Sequence, residues 1–183
     1  GLLAAGQALF VPRPGSGASR LADAELANYR QAACIDRALG DLAAAGIPTV
    51  FATGDVHWGR VAEAMHVPSG RPMLYEVICS PSRLIDSPGS DQKALIADRL
   101  QGLFGRRQTW PRHSDPPNPP ERWGRTNEFE PRKVFGLRGD QVALMQFTRA
   151  GRGLEMRVTY YPIHDDPKVA QPLEAPVVNL LPL

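Results

Sequence analysis

The sequence predicts an α/β protein with mixed sheets flanked by helices. Three observations carry this. A helical pattern between Asp23 and Ala45 runs through a glycine stop into the apolar run Ile47–Thr53. Two further strand patterns follow it, around Val61–His66 and Leu74–Cys79. A closing β-hairpin then pairs Gln141–Thr148 with Leu154–Tyr161. The 183 residues fit a single domain, 1–183, large enough for a sizeable core.

Each element has a local reason. Residues 1–20 read as a short apolar segment, Ala8-Leu9-Phe10-Val11, followed by a Pro-, Gly- and Ser-rich loop. Gly15-Ser16-Gly17 in that loop lacks the Lys-Ser/Thr of a P-loop and reads as a flexible loop. Asp23 suits an N-cap, with Glu25 in the first turn. Leu26, Tyr29, Ala33, Ile35, Leu39 and Leu42 then recur at near-helical spacing. Gly46 suits the position just past the helix end, and Pro48 prevents the helix from resuming. The β-branched and aromatic run to Thr53 reads as a buried strand. Pro68-Ser69-Gly70 joins the next two strands, and Ser90–Phe104 carries a second helical pattern. Residues 107–132 read as a long Pro- and Arg-rich loop, of a length that usually has a function. Residues 162–183 read as a proline-punctuated tail across the surface.

Composition narrows the function classes. Hydrophobic residues make up 43% and charged residues 22%, ordinary for a soluble globular protein. A net charge of +2 is too balanced to indicate a nucleic acid or a membrane surface as partner. No run approaches the ~18 apolar residues of a membrane span. The opening Gly-Leu-Leu-Ala-Ala-Gly lacks a basic n-region and is not read as a signal peptide. The chain also lacks a starting Met, which suggests a processed product, an excised domain or a truncated reading. Cys34 and Cys79 fit no metal-site or redox spacing and read as buried free thiols.

The chemistry lies in Thr53-Gly54-Asp55-Val56-His57. Residues two apart in an extended segment point to the same side, so Asp55 and His57 would project together from a strand end. The carboxyl edge of an open α/β sheet is where ligands bind. Carboxylate plus imidazole suits zinc, iron or manganese. Two ligands cannot hold such an ion alone, so further donors must come from elsewhere. The alternative is that Asp55 caps a turn and His57 is a satisfied, partly buried histidine.

Thr49–Ala62 around this motif resembles the last metal motif of the calcineurin-like metallophosphoesterases, in the branch typified by alkaline phosphatase D. That branch follows the motif with a variable segment and a second strand, matched here by Leu74-Tyr75-Glu76-Val77-Ile78-Cys79-Ser80-Pro81-Ser82. Upstream, Gly6-Gln7 and then Leu26-Ala27-Asn28-Tyr29-Arg30-Gln31 also fit. The likeness covers roughly residues 5–85 well and the closing hairpin more loosely. It implies part of a four-layer αββα sandwich, with the closing hairpin extending one sheet. It implies a dinuclear centre of divalent or trivalent ions, among zinc, iron, manganese and calcium, that hydrolyses a phosphate monoester or diester. Asp55 and His57 would be metal ligands. Glu76 would be either a group orienting His57 or a partner in a structural salt bridge. Arg60, three residues past His57, is a phosphate-binding candidate, because a guanidinium fork matches phosphate oxygens.

The family's first motif, its bridging Asp and its Asn-His pair have no counterpart here. The resemblance therefore implies a portion of a longer enzyme, inactive alone and missing the N-terminal half of its domain. The alternatives are a non-catalytic interaction or structural protein that keeps the fold, and assembly with a separate chain that supplies the missing ligands. A secreted or periplasmic location follows only from the family.

Other candidates read as structural. His66 sits in a strand pattern, His113 in the long loop and His164-Asp165-Asp166 in a polar turn. Ser80 and Ser82 lack the nucleophile elbow of a serine hydrolase. Arg106, Arg107, Arg112, Arg122 and Arg125 read as solvated loop residues. Trp110 and Trp123 read either as a lid or as anchors for the loop.

Overall fold

A computed structural model describes residues 1–10, 32–54, 58–79, 116, 118–138, 141–163 and 171–181. Among these residues the protein has mixed α and β structure: two sheets, one helix, and mostly strands. The first sheet has five strands, β1 (Leu2–Ala5), β2 (Thr49–Thr53), β3 (Trp58–His66), β4 (Arg71–Ile78) and β5 (Phe129–Arg138). Their spatial order is β1-β2-β4-β3-β5. Strands β1, β2 and β4 run parallel, and β3 is antiparallel to both its neighbours, β4 and β5. The second sheet pairs β6 (Gln141–Ala150) with β7 (Gly153–Pro162), and β8 (Leu173–Glu174) and β9 (Val178–Leu181) also pair with β7.

Helix α1 (Ala32–Ala44) covers one face of the first sheet. Ile35, Leu39 and Ala43, one helical turn apart, pack on Phe51, Ala62, Ala64 and Leu74. The helix stops where its glycine lies. Gly46 takes φ 75°, its N–H bonds to Ala43 O at 3.0 Å, and Ile47 N–H bonds to Leu42 O at 2.9 Å. This paired closure is the Schellman arrangement, and it needs a residue that tolerates left-handed backbone. The expected start of the helix at Asp23, and the second helix at Ser90–Phe104, lie outside the described residues.

The opposite face of the first sheet packs on the second sheet. Val50, Val61, Tyr75 and Val77 meet Met156, Val158, Tyr160, Val178 and Leu180 in one apolar layer. Among the described residues the result is three layers: helix, sheet, sheet.

Four sequence expectations need correction. The first strand is Leu2–Ala5, and Ala8–Phe10 is buried but irregular. An Ala-rich run has weak strand propensity, so its pairing with β2 decides the matter. The loop expected over 107–132 gives way at Phe129 to β5, which the sequence reading missed because Pro131, Arg132 and Lys133 interrupt its pattern. Pro131 is tolerated because, among the described residues, β5 is an edge strand, paired along its length with β3 and bridged at Phe129 to Trp123. The tail expected over 162–183 contains β8 and β9, and the hairpin builds a second sheet instead of extending the first. Cys34 is exposed and Cys79 half-buried, so neither is a fully buried thiol; both are free. Among the described residues no helix is long and apolar enough to cross a membrane.

Candidate functional site

Three parallel strands end together. Ala5 pairs with Thr53, and Thr53 with Ile78, so β1, β2 and β4 finish in register at one carboxyl edge. The ladder continues one step further, through Cys79 N–H to Thr53 O at 2.9 Å. Strand β4 lies between β2 and β3. Residues 54–57 therefore link two strands on opposite sides of β4, and both ends of the link, Gly54 and Trp58, stand at this edge. The metal-ligand candidates Asp55 and His57 lie in this link and outside the described residues. Arg138, paired with Trp58, and Gln141, at the start of the second sheet, come to the same edge.

Glu76 and Arg60 lie on the helix side of the first sheet, and both side chains are 0% exposed. Glu76 Oε2 accepts from both Arg60 Nη2 at 2.6 Å and Arg60 Nε at 2.9 Å, two charge-assisted bonds converging on one oxygen. Its Oε1 accepts the backbone N–H groups of Leu9 and Phe10 at 2.7 and 3.0 Å. Arg60 Nη2 also donates to Phe10 O at 3.0 Å, and its guanidinium lies 4.9 Å from the Trp58 ring centre. Both groups are thereby paired despite leaving water, the condition that makes a buried ion pair tolerable. The pair holds the irregular segment after β1 onto the sheet. Arg60, the phosphate-binding candidate, directs its Nε and Nη2 inward to Glu76 and Phe10.

A second polar cluster ties the two sheets together near the same edge. Tyr160 Oη donates to Ile78 O at 2.9 Å. Cys79 Sγ donates to Gln141 O at 3.2 Å and accepts from Ala143 N–H at 3.0 Å. Burial raises the Cys79 thiol above its usual pKa, against the Ala143 amide that lowers it. A protonated thiol that both donates and accepts is a structural group here, not a nucleophile. Burial, then the nearby Cys79 and Glu76, hold the Tyr160 phenol well above its ordinary value, partly offset by Arg60.

Among the described residues, the buried oxygens Thr53 Oγ1, at this edge, and Gln7 Oε1, just past the end of β1, have no hydrogen-bond partner. Thr53 is 7% exposed and ends β2, on the face it shares with Phe51 and Ile78. Gln7 follows two residues after Ala5, the strand partner of Thr53. Leaving such a group unpaired costs about 1–3 kcal/mol, so it calls for an explanation such as an ion or a water. Oxygen donors at the carboxyl edge fit a hard or borderline cation. Among the described residues, no three His, Cys, Asp or Glu side chains gather as a metal site.

The remaining candidates that the structure describes lie elsewhere. His66 is buried, its Nδ1 2.9 Å from Ser69 Oγ and its ring 5.4 Å from that of Phe129. Trp123 packs against Phe10 and Phe129 and so anchors its loop. Arg122 pairs with Glu130 at 2.6 Å on the surface, and Arg125 is exposed. Ser80, Ser82, Arg106, Arg107, Trp110, Arg112, His113 and the His164-Asp165-Asp166 turn lie outside the described residues. Gln7 and Thr53 stand within sequence motifs without a role of their own. Nothing in a lone Gln or Thr signals burial without a partner.

Compared with protein-family models, with curated proteins and with solved structures, the chain finds no match.

Proposed function

We propose that this chain is part of a metal-dependent phosphoesterase, with Asp55 and His57 as its share of the metal ligands. The observation that supports this best is the carboxyl edge itself. Strands β1, β2 and β4 end there together, the link carrying Asp55 and His57 starts and finishes there, and the buried Thr53 Oγ1 there has no hydrogen-bond partner among the described residues. The order helix, sheet, sheet among the described residues supports the reading as part of an αββα sandwich.

Divalent or trivalent ions, when bound, supply Lewis-acid activation of water and of the phosphoryl group. The chain's own part is to hold and place. Asp55 and His57 bind, Gly54 leaves room for a close approach to the backbone, and the Arg60–Glu76 pair fixes the floor beneath the edge. Two ligands do not make a complete centre, so catalysis requires donors from outside this chain, and alone it hydrolyses phosphate esters little or not at all.

A second reading is a non-catalytic interaction protein that keeps the fold. Val142 (55% exposed), Leu144 (45%) and Tyr161 favour it, because they lie on the outer face of the second sheet. Calorimetric titration with Mn²⁺ and Zn²⁺ separates the two. Binding by the wild-type chain that disappears in the Asp55→Ala/His57→Ala variant supports the metal reading. Binding indifferent to that change counts against the metal reading and leaves the interaction reading, and absence of binding shows that this chain's own donors do not suffice for a site.

A further inference from the structure

We infer that two copies of this chain pair through β6, edge to edge and antiparallel, so that their second sheets become one continuous sheet with its two-fold axis at Phe147. The inference does not rest on the metal reading, because pairing at β6 is open to a phosphoesterase and to an interaction protein alike.

A free strand edge is a template for another strand, and proteins blunt it with shortness, charge, proline or a bulge. Among the described residues, the edge strands other than β6 carry such devices. Strand β1 has four residues, β8 two and β9 four. Strand β5 carries Glu130, Pro131, Arg132 and Lys133, and its ladder with β3 shifts register between Val61 and Ala62. Strand β6 has none of them. It runs ten residues with Arg149 as its one charge and no proline, and it pairs with β7 without a shift. No described strand pairs with its other side.

Cys79 sets where a second strand can join. Alternate residues of an antiparallel strand turn their N–H and C=O away from the partner. Cys79 Sγ accepts from Ala143 N–H and donates to Gln141 O, so the odd-numbered residues of β6 are the outward ones. Cys79 thereby closes the start of the edge. Beyond it, the outward N–H and C=O groups of Met145, Phe147 and Arg149 have no partner among the described residues. These groups are symmetric about Phe147, and a second copy satisfies them. Phe147 then faces its own counterpart, and Met145 faces Arg149 of the second copy. A shift of register toward Gln141 would need groups that Cys79 already occupies; a shift toward Ala150 would leave Met145 without a strand partner. Phe147 lies on the face turned to the first sheet, opposite the fully buried Met156, yet it is 42% exposed. In the pair the two Phe147 side chains cover one another, a favourable cross-strand contact. The two Arg149 residues stand about 14 Å apart along the strands, beyond the ~8 Å reach of charge in physiological salt.

The test is sedimentation equilibrium of the full chain. Wild type is expected to show a reversible monomer–dimer equilibrium in the range of about 10–100 µM, because the contact is at the small end of protein interfaces. Phe147→Glu sets two like charges opposite each other and should weaken the dimer about 10-fold. Leu144→Thr, on the outer face, should leave it unchanged. A second readout serves even if Phe147→Glu folds poorly. In a Cys34→Ser background, copper–phenanthroline should cross-link Phe147→Cys into a disulfide dimer, since paired Cα atoms lie about 5.5 Å apart. The background alone should not cross-link, and neither should Leu144→Cys, whose two copies stand about 20 Å apart in this register. A wild-type chain that stays monomeric overturns the inference and means that the edge is covered within the chain. A dimer lost in Leu144→Thr and kept in Phe147→Glu overturns it in favour of the outer face, as does cross-linking no better at Phe147→Cys than at Leu144→Cys. Assembly that grows past the dimer overturns it too, because a two-fold pairing closes.

Discussion

The two sheets of this protein are built to different rules. In the first sheet, β2 is buried at nearly every position, β3 is buried except at Glu63 and Met65, and β4 is buried from Met73 onward. Helix α1 covers one of its faces and the second sheet the other. In the second sheet, β6 is buried only at Gln141, with Val142, Leu144, Gln146 and Thr148 turned outward. Doubly covered strands read as continuous apolar runs, and singly covered ones alternate. The consequence for function is that polar groups in the first sheet must be paired internally, as Arg60 and Glu76 are, or left wanting, as Thr53 is. An unpaired oxygen carries information only where water has been excluded. That is why the candidate site is read from the first sheet and not from the second.

The sharpest way to break this contrast is to remove one partner of the buried pair. Glu76→Ala leaves the Arg60 charge without its carboxylate and the Leu9 and Phe10 amides without an acceptor. A loss of about 3–5 kcal/mol in unfolding free energy is expected from urea denaturation. The matched change on the outer face, Leu144→Thr, should stay within about 0.5 kcal/mol. Comparable losses in both would mean that the two sheets do not differ in the way their burial suggests.

A smaller effect is expected where the sheets meet. Gly59 lies on β3 with no room for a side chain: an added Cβ would stand 2.8 Å from Gln141 Nε2 and 2.9 Å from Tyr160 Cε1. Tyr160 is held by its bond to Ile78 O and by stacking on Phe135 at 5.5 Å, so it cannot yield freely. Gly59→Ala should therefore cost about 1–3 kcal/mol, the usual range for overpacking, measured by the same denaturation. A neutral result would show that Gln141 and Tyr160 move apart easily and that the sheet-to-sheet contact is soft.

Legibility in the sequence followed the same division. The helix stop at Gly46 and the strand to Thr53 could be read because local chemistry determines them: a left-handed glycine, a following proline and a β-branched run. Strand β5 could not, because Phe129-Glu130-Pro131-Arg132-Lys133 violates strand patterning and is held by its ladder with β3. Strands β8 and β9 were hidden for a similar reason, being short segments that exist only through their pairing with β7. At the site, the motif residues were visible as residue types. The Arg60–Glu76 pair joins strands sixteen positions apart in sequence, a separation no local pattern marks. The lack of a partner at Thr53 depends on what surrounds it in three dimensions, which only the folded chain specifies.

The smallest effect at neutral pH belongs to the layer between the sheets, and alkali should reveal it. Tyr75 is buried there, and its hydroxyl lies 3.1 Å from Asn179 O in β9 and 3.2 Å from Pro72 O. Burial, and then the charge of Glu63, push its pKa from 10.0 up to about 12, with Arg71 pulling the other way. A raised value means that the folded chain holds the proton more tightly than the unfolded chain does. The contribution is complete below the unfolded value of 10.0 and is lost as pH climbs toward about 12. Tyr160, also raised, adds a loss of the same sign. Urea midpoints taken from about pH 9 to about pH 11 should fall for wild type and fall less for Tyr75→Phe, which has no proton to lose at that position. Parallel declines would place the alkaline weakness elsewhere than at Tyr75, with Tyr160 the next group to test. A shallower decline in Tyr75→Phe would identify the contact between the two sheets as the part of the fold that opens first in base.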